Sequence, residues 1–391
     1  MKETSTMFRE TTKQELGQGQ GQEQEQNNKT TLILWEVCES FKLGKPVDWE
    51  QIKHGNVNHT YRVDVRKQKG IRSYILQMLN SNAFKTPQKN VENHAVITKH
   101  LEEKLRTDPD VGRKTVRLYT TEYGSYLYVD SEGHYWRAMS FVYGALTVNK
   151  PDFVIMQKTG EAFGTFQSLL SDCPANLLHE TIPGFHDTEK RMKSLISAAK
   201  KDEYDRLREV KDLFDFLCSQ SQRAVFFKEA LAKGDIPLRV THNDTKCNNV
   251  MFDEKTYAPL AIIDLDTVMP GFAAHDFGDA IRYGANFSGE DEEDMSKIGL
   301  DLEMFRSFAE GYIPKVKDSF EPHELKTLPH GVTAMTLELS SRFLTDYLEG
   351  DKYFITRKDK HNMLRAKCQA ELLKDEITKF NEMTAIVDKI I

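Results

Sequence analysis

The amino-acid sequence predicts an α+β chain of two lobes: an N-terminal lobe built on an antiparallel sheet and a larger, mainly helical C-terminal lobe. Three observations carry this. Between Gln51 and Phe141, short β-branched and aromatic runs alternate with turn-forming or charged residues. After Tyr143-Gly144 the pattern changes to long segments of helical periodicity. Within that second half, two short apolar runs, Leu238–Val240 and Leu260–Ile263, each end on clustered polar residues, as strands do where they present ligand-binding groups at their carboxyl ends.

Taken in order, residues 1–30 form a polar tail. Its stretch GQGQGQEQEQNN, from Gly17 to Asn28, contains no apolar residue to offset the entropy of ordering, so no fixed structure is expected there. From Leu32 the spacing of Leu34, Trp35, Val37, Cys38 and Phe41 predicts a helix that stops near Gly44. The first lobe, 31–142, then takes strands at Tyr61–Val65, Tyr74–Met78, Ser125–Val129 and Tyr135–Val142, with one helix over Asn90–Arg106. The second lobe, 143–391, takes helices over Phe153–Leu170, Lys190–Ala199, Tyr204–Ala232, Leu302–Tyr312, Val332–Leu348 and Arg365–Ile391. No repeat of fixed period is present, which argues against a solenoid.

Composition narrows the function classes. With 391 residues and 39% hydrophobic content the chain can bury sizeable cores, and its formal net charge of −7 provides no basic field for nucleic acid or anionic membranes. Cys38, Cys173, Cys218, Cys247 and Cys368 are odd in number and never paired as CxxC, against a disulfide framework or a zinc site. The N-terminus lacks the apolar core of a signal peptide, and no stretch approaches the roughly 20 apolar residues that span a bilayer. A soluble, cytoplasmic protein is expected, with small-molecule partners and no nucleic acid or membrane.

The central motif is His242-Asn243-Asp244-Thr245-Lys246-Cys247-Asn248-Asn249, an H-x-D-x-x-x-x-N pattern directly after an apolar run. Phosphoryl transfer needs a carboxylate beside the attacking oxygen and a metal ligand on the phosphate side, and a short loop of this spacing supplies both. Asp244 is the candidate base, Asn249 a candidate Mg²⁺ ligand, and Lys246 a cation for the charge that develops on the transferring phosphoryl group. The bland alternative is a polar strand-to-helix turn. Fifteen residues beyond Asn249, the run Ala261-Ile262-Ile263 leads into Asp264-Leu265-Asp266, placing a carboxylate at a strand end where a second oxygen ligand for Mg²⁺ belongs. The alternative there is an exposed acidic turn.

Upstream, Lys53 to Val63 reads as a hairpin whose turn, Gly55-Asn56-Val57-Asn58-His59-Thr60, is placed to contact the phosphates of ATP, although a plain β-turn reads the same way. The next strand carries Gln77 where kinases of known type carry a phosphate-binding lysine, so some other cation, Lys246 among them, has to compensate. Glu92 on the following helix then loses its usual ion-pair partner and reads as solvated. Arg137 to Val142 joins the lobes, and backbone groups around Ser140 and Val142 are candidates to hold the adenine.

These segments resemble the aminoglycoside phosphotransferase and choline kinase superfamily, whose members have a bilobal protein-kinase-like fold. The runs Ile75-Leu76-Gln77, Leu238 to Lys246, Ile262 to Gly271, Asp276-Phe277-Gly278-Asp279 and Arg342 to Asp351 are similar to those of bacterial N-acetylhexosamine 1-kinases, over most of residues 32–391. That group shares the strand glutamine. The resemblance implies phosphorylation of the anomeric hydroxyl of N-acetylglucosamine or N-acetylgalactosamine by ATP with Mg²⁺, Asp244 acting on the 1-hydroxyl. It also implies sugar contacts from Arg342 and Tyr353, where Arg342 on its helix reads equally as a structural ion-pair residue. His242 is expected to fix the loop by hydrogen bonds, and His275 with Asp276 to Asp279 to brace the metal loop. Two other classes stay open: a kinase for another small hydroxylated compound, such as an amino alcohol or aminoglycoside, and a nucleotide-binding module without catalysis.

Overall fold

A computed structural model describes residues 24–53, 57–82 and 84–391. The chain forms two compact units: one runs to Val91 and adds Arg117–Phe141, and the other comprises Glu92–Val116 and Val142–Ile391. In chain order the elements begin with α1 (24–40), β1 (Lys45–Ile52), β2 (His59–Lys67), β3 (Gly70–Leu79), α2 (Pro87–Lys104), α3 (Val111–Lys114), β4 (Leu118–Tyr119), β5 (Tyr128–Val129) and β6 (Tyr135–Ser140). There follow β7 (Ala145–Leu146), α4 (Phe153–Leu169), α5 (Thr188–Lys201), α6 (Lys211–Ser219), α7 (Ser221–Lys233), β8 (Arg239–Thr241), β9 (Val250–Asp253), β10 (Pro259–Ile262) and β11 (Met269–Gly271). The chain closes with α8 (Ala273–Gly284), α9 (Leu302–Val316), α10 (Pro322–Lys326), α11 (Leu328–Leu348), α12 (His361–Thr378) and α13 (Phe380–Ile390).

The first unit is the expected antiparallel sheet, ordered β1-β2-β3-β6-β4 with β5 also on β6. Alternation sets its register: Val63, Val65, Leu76 and Ala138 turn to one face and pack on Leu34, Val37, Cys38 and Phe41 of α1 and the turn after it. That contact explains a difference from the sequence reading. Helix is already present at 24–28, inside the glutamine-rich stretch expected to lack structure, because Gln and Glu are good helix formers once a packed apolar face downstream supplies the nucleus. The strand expected over Ser125–Val129 shrinks to Tyr128–Val129, since the Ser125 hydroxyl accepts the Leu127 N–H and turns the chain there.

The second unit is helical around two short strand pairs. β8 pairs with β11, and β9 with β10 and β7, all antiparallel. The single helix expected over Tyr204–Ala232 divides at Gln220, and the one over Arg365–Ile391 at Lys379, each where the apolar pattern lapses for a few polar residues. The core gathers Phe163, Phe277, Phe305, Phe308 and Tyr312, with Phe277 ring centroids 5.3–5.6 Å from the last three.

Two helix crossings in this unit run backbone to backbone. A Cβ on Gly331 of α11 would lie 1.8 Å from the Ala274 carbonyl oxygen of α8, and one on Gly278 of α8 would lie 2.3 Å from the Gly331 oxygen. Gly311 of α9 meets the Gln157 oxygen of α4 in the same way, at 2.0 Å. The α8–α11 crossing brings Asp276 and Asp279 on α8 and Glu338 on α11 to the same loop, as described below. Gly331→Ala should therefore cost at least about 3 kcal/mol, the upper part of the overpacking range, because backbone rather than a flexible side chain must yield. A chemical-denaturation midpoint equal to that of the parent protein would contradict it.

Candidate active site

The catalytic loop expected from the sequence connects β8 to β9, and the acidic loop connects β10 to β11. Because β8 pairs with β11 and β9 with β10, the two connections lie side by side and are stitched together. Ile263 N–H donates to the Asn249 carbonyl at 2.9 Å, His242 Nε2 donates to the Ile263 carbonyl at 2.9 Å, and the Thr267 hydroxyl donates to the His242 carbonyl at 2.7 Å. His242 is fully buried, edge-on to Phe163 and Phe166, and its Nδ1 accepts the Asp244 N–H at 3.3 Å. It acts as a fixing residue, as its position in the motif suggested.

The loop is held from below by α8. The Asp276 carboxylate accepts the backbone N–H of His242 at 2.8 Å and that of Asn243 at 2.7 Å, and also takes a hydrogen bond from Gln167. Burial pushes its carboxyl up from the ordinary range, opposed by His242 and those donors. Asp279 accepts the Thr245 N–H at 3.2 Å and pairs with Arg282. These two acids brace the catalytic loop, where the sequence reading had assigned them to the metal loop. The bracing permits a strained backbone: Asn243 sits at φ 63° and Asp264 at φ 59°, left-handed values unusual for residues other than glycine. Asn243 is further tied by its side chain to the Thr267 carbonyl and the Thr241 hydroxyl.

Asp244, part-exposed, is bracketed. Its Oδ1 lies 2.7 Å from Lys246 Nζ and its Oδ2 accepts from Asn249 Nδ2 at 2.9 Å. Burial works against the Lys246 charge, but Asp244 and Asp279 outweigh it and hold the ammonium protonated well above the usual lysine range. Asn249 Nδ2 donates to the Asp244 carbonyl and carboxylate, which turns its amide oxygen elsewhere. Asp264 follows Ile263, whose N–H is bound to Asn249, and its side chain is exposed. An amide oxygen beside an exposed carboxylate suits Mg²⁺, which takes one or two protein oxygens and fills its octahedron with phosphate oxygens and water. Among the described residues no group of three or more His, Cys, Asp or Glu forms a metal cage, so a cation here draws on such outside ligands.

Arg342 and Tyr353 also come together. The Arg342 guanidinium lies over Phe185 and Phe354, 5.7 and 5.5 Å from the ring centroids, and 4.0 Å from Glu338. Tyr353, 73% exposed, packs edge-on against Phe354 at 4.8 Å. Asp346 builds the turn that presents them, accepting the backbone N–H groups of Lys352, Tyr353 and Phe354. Arg191 joins this cluster: it donates to the Phe185 carbonyl at 3.0 Å, its Nε is buried without a partner among the described residues, and burial followed by the nearby Arg342 lowers its pKa. Sequence reasoning missed Arg191, His186 and Glu338. No motif or spacing marks them.

In the first unit, Gln77 pairs directly with Arg137 across β3–β6. Its Oε1 accepts from Arg137 Nε at 2.9 Å and from Nη2, while its Nε2 donates to the Thr60 hydroxyl at 2.9 Å. Arg137 is almost wholly buried, so a lysine at 77 would oppose a second cation; here lies the physical reason for the glutamine. Asn58 Oδ1 accepts the Asn80 N–H, and the Ser140 hydroxyl accepts the Arg117 N–H. Val142 is buried. Gly55 and Asn56 lie outside the described residues. Glu92, read as solvated, is exposed yet pairs with His179 at 2.8 Å.

Residues 48–306 match the phosphotransferase enzyme family, APH. Among solved structures the chain is similar to an aminoglycoside phosphotransferase from Alicyclobacillus acidocaldarius (TM-score 0.55, 11% identity, 87% of this chain and 92% of that one). It is similar to a choline kinase from Cryptosporidium parvum (TM-score 0.55, 12% identity, 92% and 99%) and to an ethanolamine kinase from Plasmodium vivax (TM-score 0.51, 14% identity, 82% and 81%). At these identities the likeness is one of fold, and the kinase-like arrangement expected from the sequence is present.

Asp276→Ala should strand the two buried N–H groups of His242 and Asn243, at about 1–3 kcal/mol each, and lower both the unfolding midpoint and turnover. A variant of parental stability would show that water replaces the carboxylate. Gln77→Lys should destabilise the protein by about 1.5–3 kcal/mol, the worth of a hydrogen bond to a charged group, and a gain in stability would refute the Arg137 account.

Proposed function

The chain belongs to the phosphotransferase enzyme family, and on that footing we propose that it is an ATP- and Mg²⁺-dependent kinase acting on the anomeric hydroxyl of an N-acetylhexosamine, N-acetylglucosamine or N-acetylgalactosamine. The products are the sugar 1-phosphate and ADP. Asp244 orients the 1-hydroxyl and takes its proton as the oxygen attacks the γ-phosphorus in line. The bond from that phosphorus to the bridging oxygen of ADP breaks. Lys246, fixed 2.7 Å from Asp244, neutralises charge on the transferring group. Asn249 and Asp264 would hold Mg²⁺, which when bound neutralises the phosphate oxygens. Nucleotide contacts are assigned to Gly55, Asn56, Asn58, Thr60, Gln77, Ser140 and Val142, with Gln77 acting by holding Arg137.

The observation that carries the sugar reading is the cluster of Arg342, Arg191, Phe185, Phe354 and Tyr353. Choline, ethanolamine and aminoglycosides, named in the solved neighbours, are cations. A guanidinium laid over two aromatic rings, with a second guanidinium nearby, disfavours a cationic acceptor and suits a neutral one rich in hydroxyl and amide oxygens.

The test is ADP release measured over N-acetylhexosamines, plain hexoses, choline and aminoglycosides, with the phosphorylated carbon then identified. Turnover is expected with an N-acetylhexosamine at carbon 1, and response to choline or aminoglycosides alone would sink the sugar assignment. Asp244→Asn should lose about 10²–10⁴-fold in kcat while nucleotide affinity changes little. Unchanged turnover in that variant would remove Asp244 from the base role.

A further inference from the structure

The second unit contains a buried ion pair that the proposed chemistry does not use. His186 Nδ1 lies 2.9 Å from Glu338 Oε1 of α11, and its Nε2 lies 3.0 Å from the backbone carbonyl of Asn243, the residue before Asp244. The side chains are only 10% and 1% exposed. Both partners are acceptors, a carboxylate and a carbonyl. A neutral imidazole carries a single N–H and can satisfy one of them, so the geometry as it stands requires the doubly protonated ring.

We propose that His186, as an imidazolium bridging Glu338 and the Asn243 carbonyl, is a positioning residue that sets the orientation of Asp244 and gives the kinase a basic limb in its pH profile. Asn243 is the left-handed residue of the loop; Asp276 holds its N–H and His186 its carbonyl, so the peptide groups on both sides of it are fixed, and the Asp244 N–H at the far end of the second is held by His242 Nδ1. Glu338 is also shared with the Thr188 hydroxyl at 3.0 Å and with Arg342 at 4.0 Å. The same carboxylate therefore faces the acceptor-side guanidinium and, through the ring, the base.

The electrostatics agree. Burial disfavours the His186 charge, but Glu338 first, then the Asn243 carbonyl and Asp279 of α8, outweigh it and raise its pKa. Burial also opposes the Glu338 carboxylate, while His186 and Arg342 keep it ionised. His275 of α8, 6.0 Å away ring to ring, is pushed by burial and by His186 down to about 3, so it stays neutral and does not titrate with its neighbour. Lys228 of α7, on the same cavity wall, is engaged by Asp187 at 2.7 Å. Because the folded-state pKa of His186 is raised above 6.5, its charge is present at lower pH and is lost as pH rises through the raised value; the limb must fall on the alkaline side.

The inference rests on Asp244 being the base, and its test separates the two. In the intact wild-type protein, ¹⁵N NMR of the histidine rings should show His186 with both nitrogens protonated at pH 7, whatever the acceptor proves to be; a neutral ring would overturn the proposal. His186→Gln, which keeps one donor but cannot titrate, should lower kcat by about 10- to 100-fold, the scale of a small misplacement of a reacting group, with KM for ATP within about twofold. Its alkaline limb should vanish. Glu338→Gln should move the limb to lower pH, since the carboxylate that holds the proton is gone. A folded His186→Gln protein with parental kcat and an unmoved limb would overturn the positioning role. Loss of turnover in Asp244→Asn alone reports only on the base.

Discussion

The site depends on one carboxylate. Asp276 accepts two consecutive backbone N–H groups, those of His242 and Asn243, from within a fully buried environment. That double acceptance permits Asn243 its left-handed conformation, which turns the chain so that Asp244 leaves the loop toward Lys246 and Asn249. Remove the acceptor and the strain, of order 1–3 kcal/mol for such a residue, has nothing to oppose it. The α8 helix can bring the carboxylate this close because Gly278 and Gly331 let α8 and α11 touch through their backbones. Packing of two helices thus determines the aim of a side chain in a loop between strands.

Charge in the second unit is arranged in alternation around the loop. Lys246 lies between Asp244 and Asp279, Arg282 between Asp279 and Glu290, and His186 between Glu338 and a carbonyl. Each buried cation meets at least one acid, so none bears the full desolvation cost of an isolated charge. Arg191 is less fully matched: burial and Arg342 act against its charge, Glu338 and Asp187 act for it, and its Nε has no acceptor among the described residues.

In the first unit the sheet itself positions a buried cation. A neutral amide, Gln77, takes the buried Arg137 guanidinium from across the sheet and passes a hydrogen bond to Thr60. From the sequence, Gln77 looked like a missing charge for which Lys246 had to compensate. In the fold a guanidinium lies adjacent on β6, and Lys246 lies 2.7 Å from Asp244. Residue spacing could not reveal this, because positions 77 and 137 are neighbours only through strand pairing.

The local features were legible in the sequence because they are short-range. Strand alternation, the helical segments, and the H-x-D-x-x-x-x-N loop and acidic turn at successive strand ends follow from side-chain period and from the residue types the chemistry needs. Boundaries failed where local hydrogen bonding or tertiary packing outweighed pattern, at Ser125 and in the glutamine-rich start of α1. Tertiary structure alone decided the partners: Asp276 for the loop, Arg137 for Gln77, and Glu338 with Asn243 for His186. These contacts join residues 33, 60, 152 and 57 positions apart. A hydrogen bond depends on distance and angle in space, and at such separations neither is written in any period of the chain.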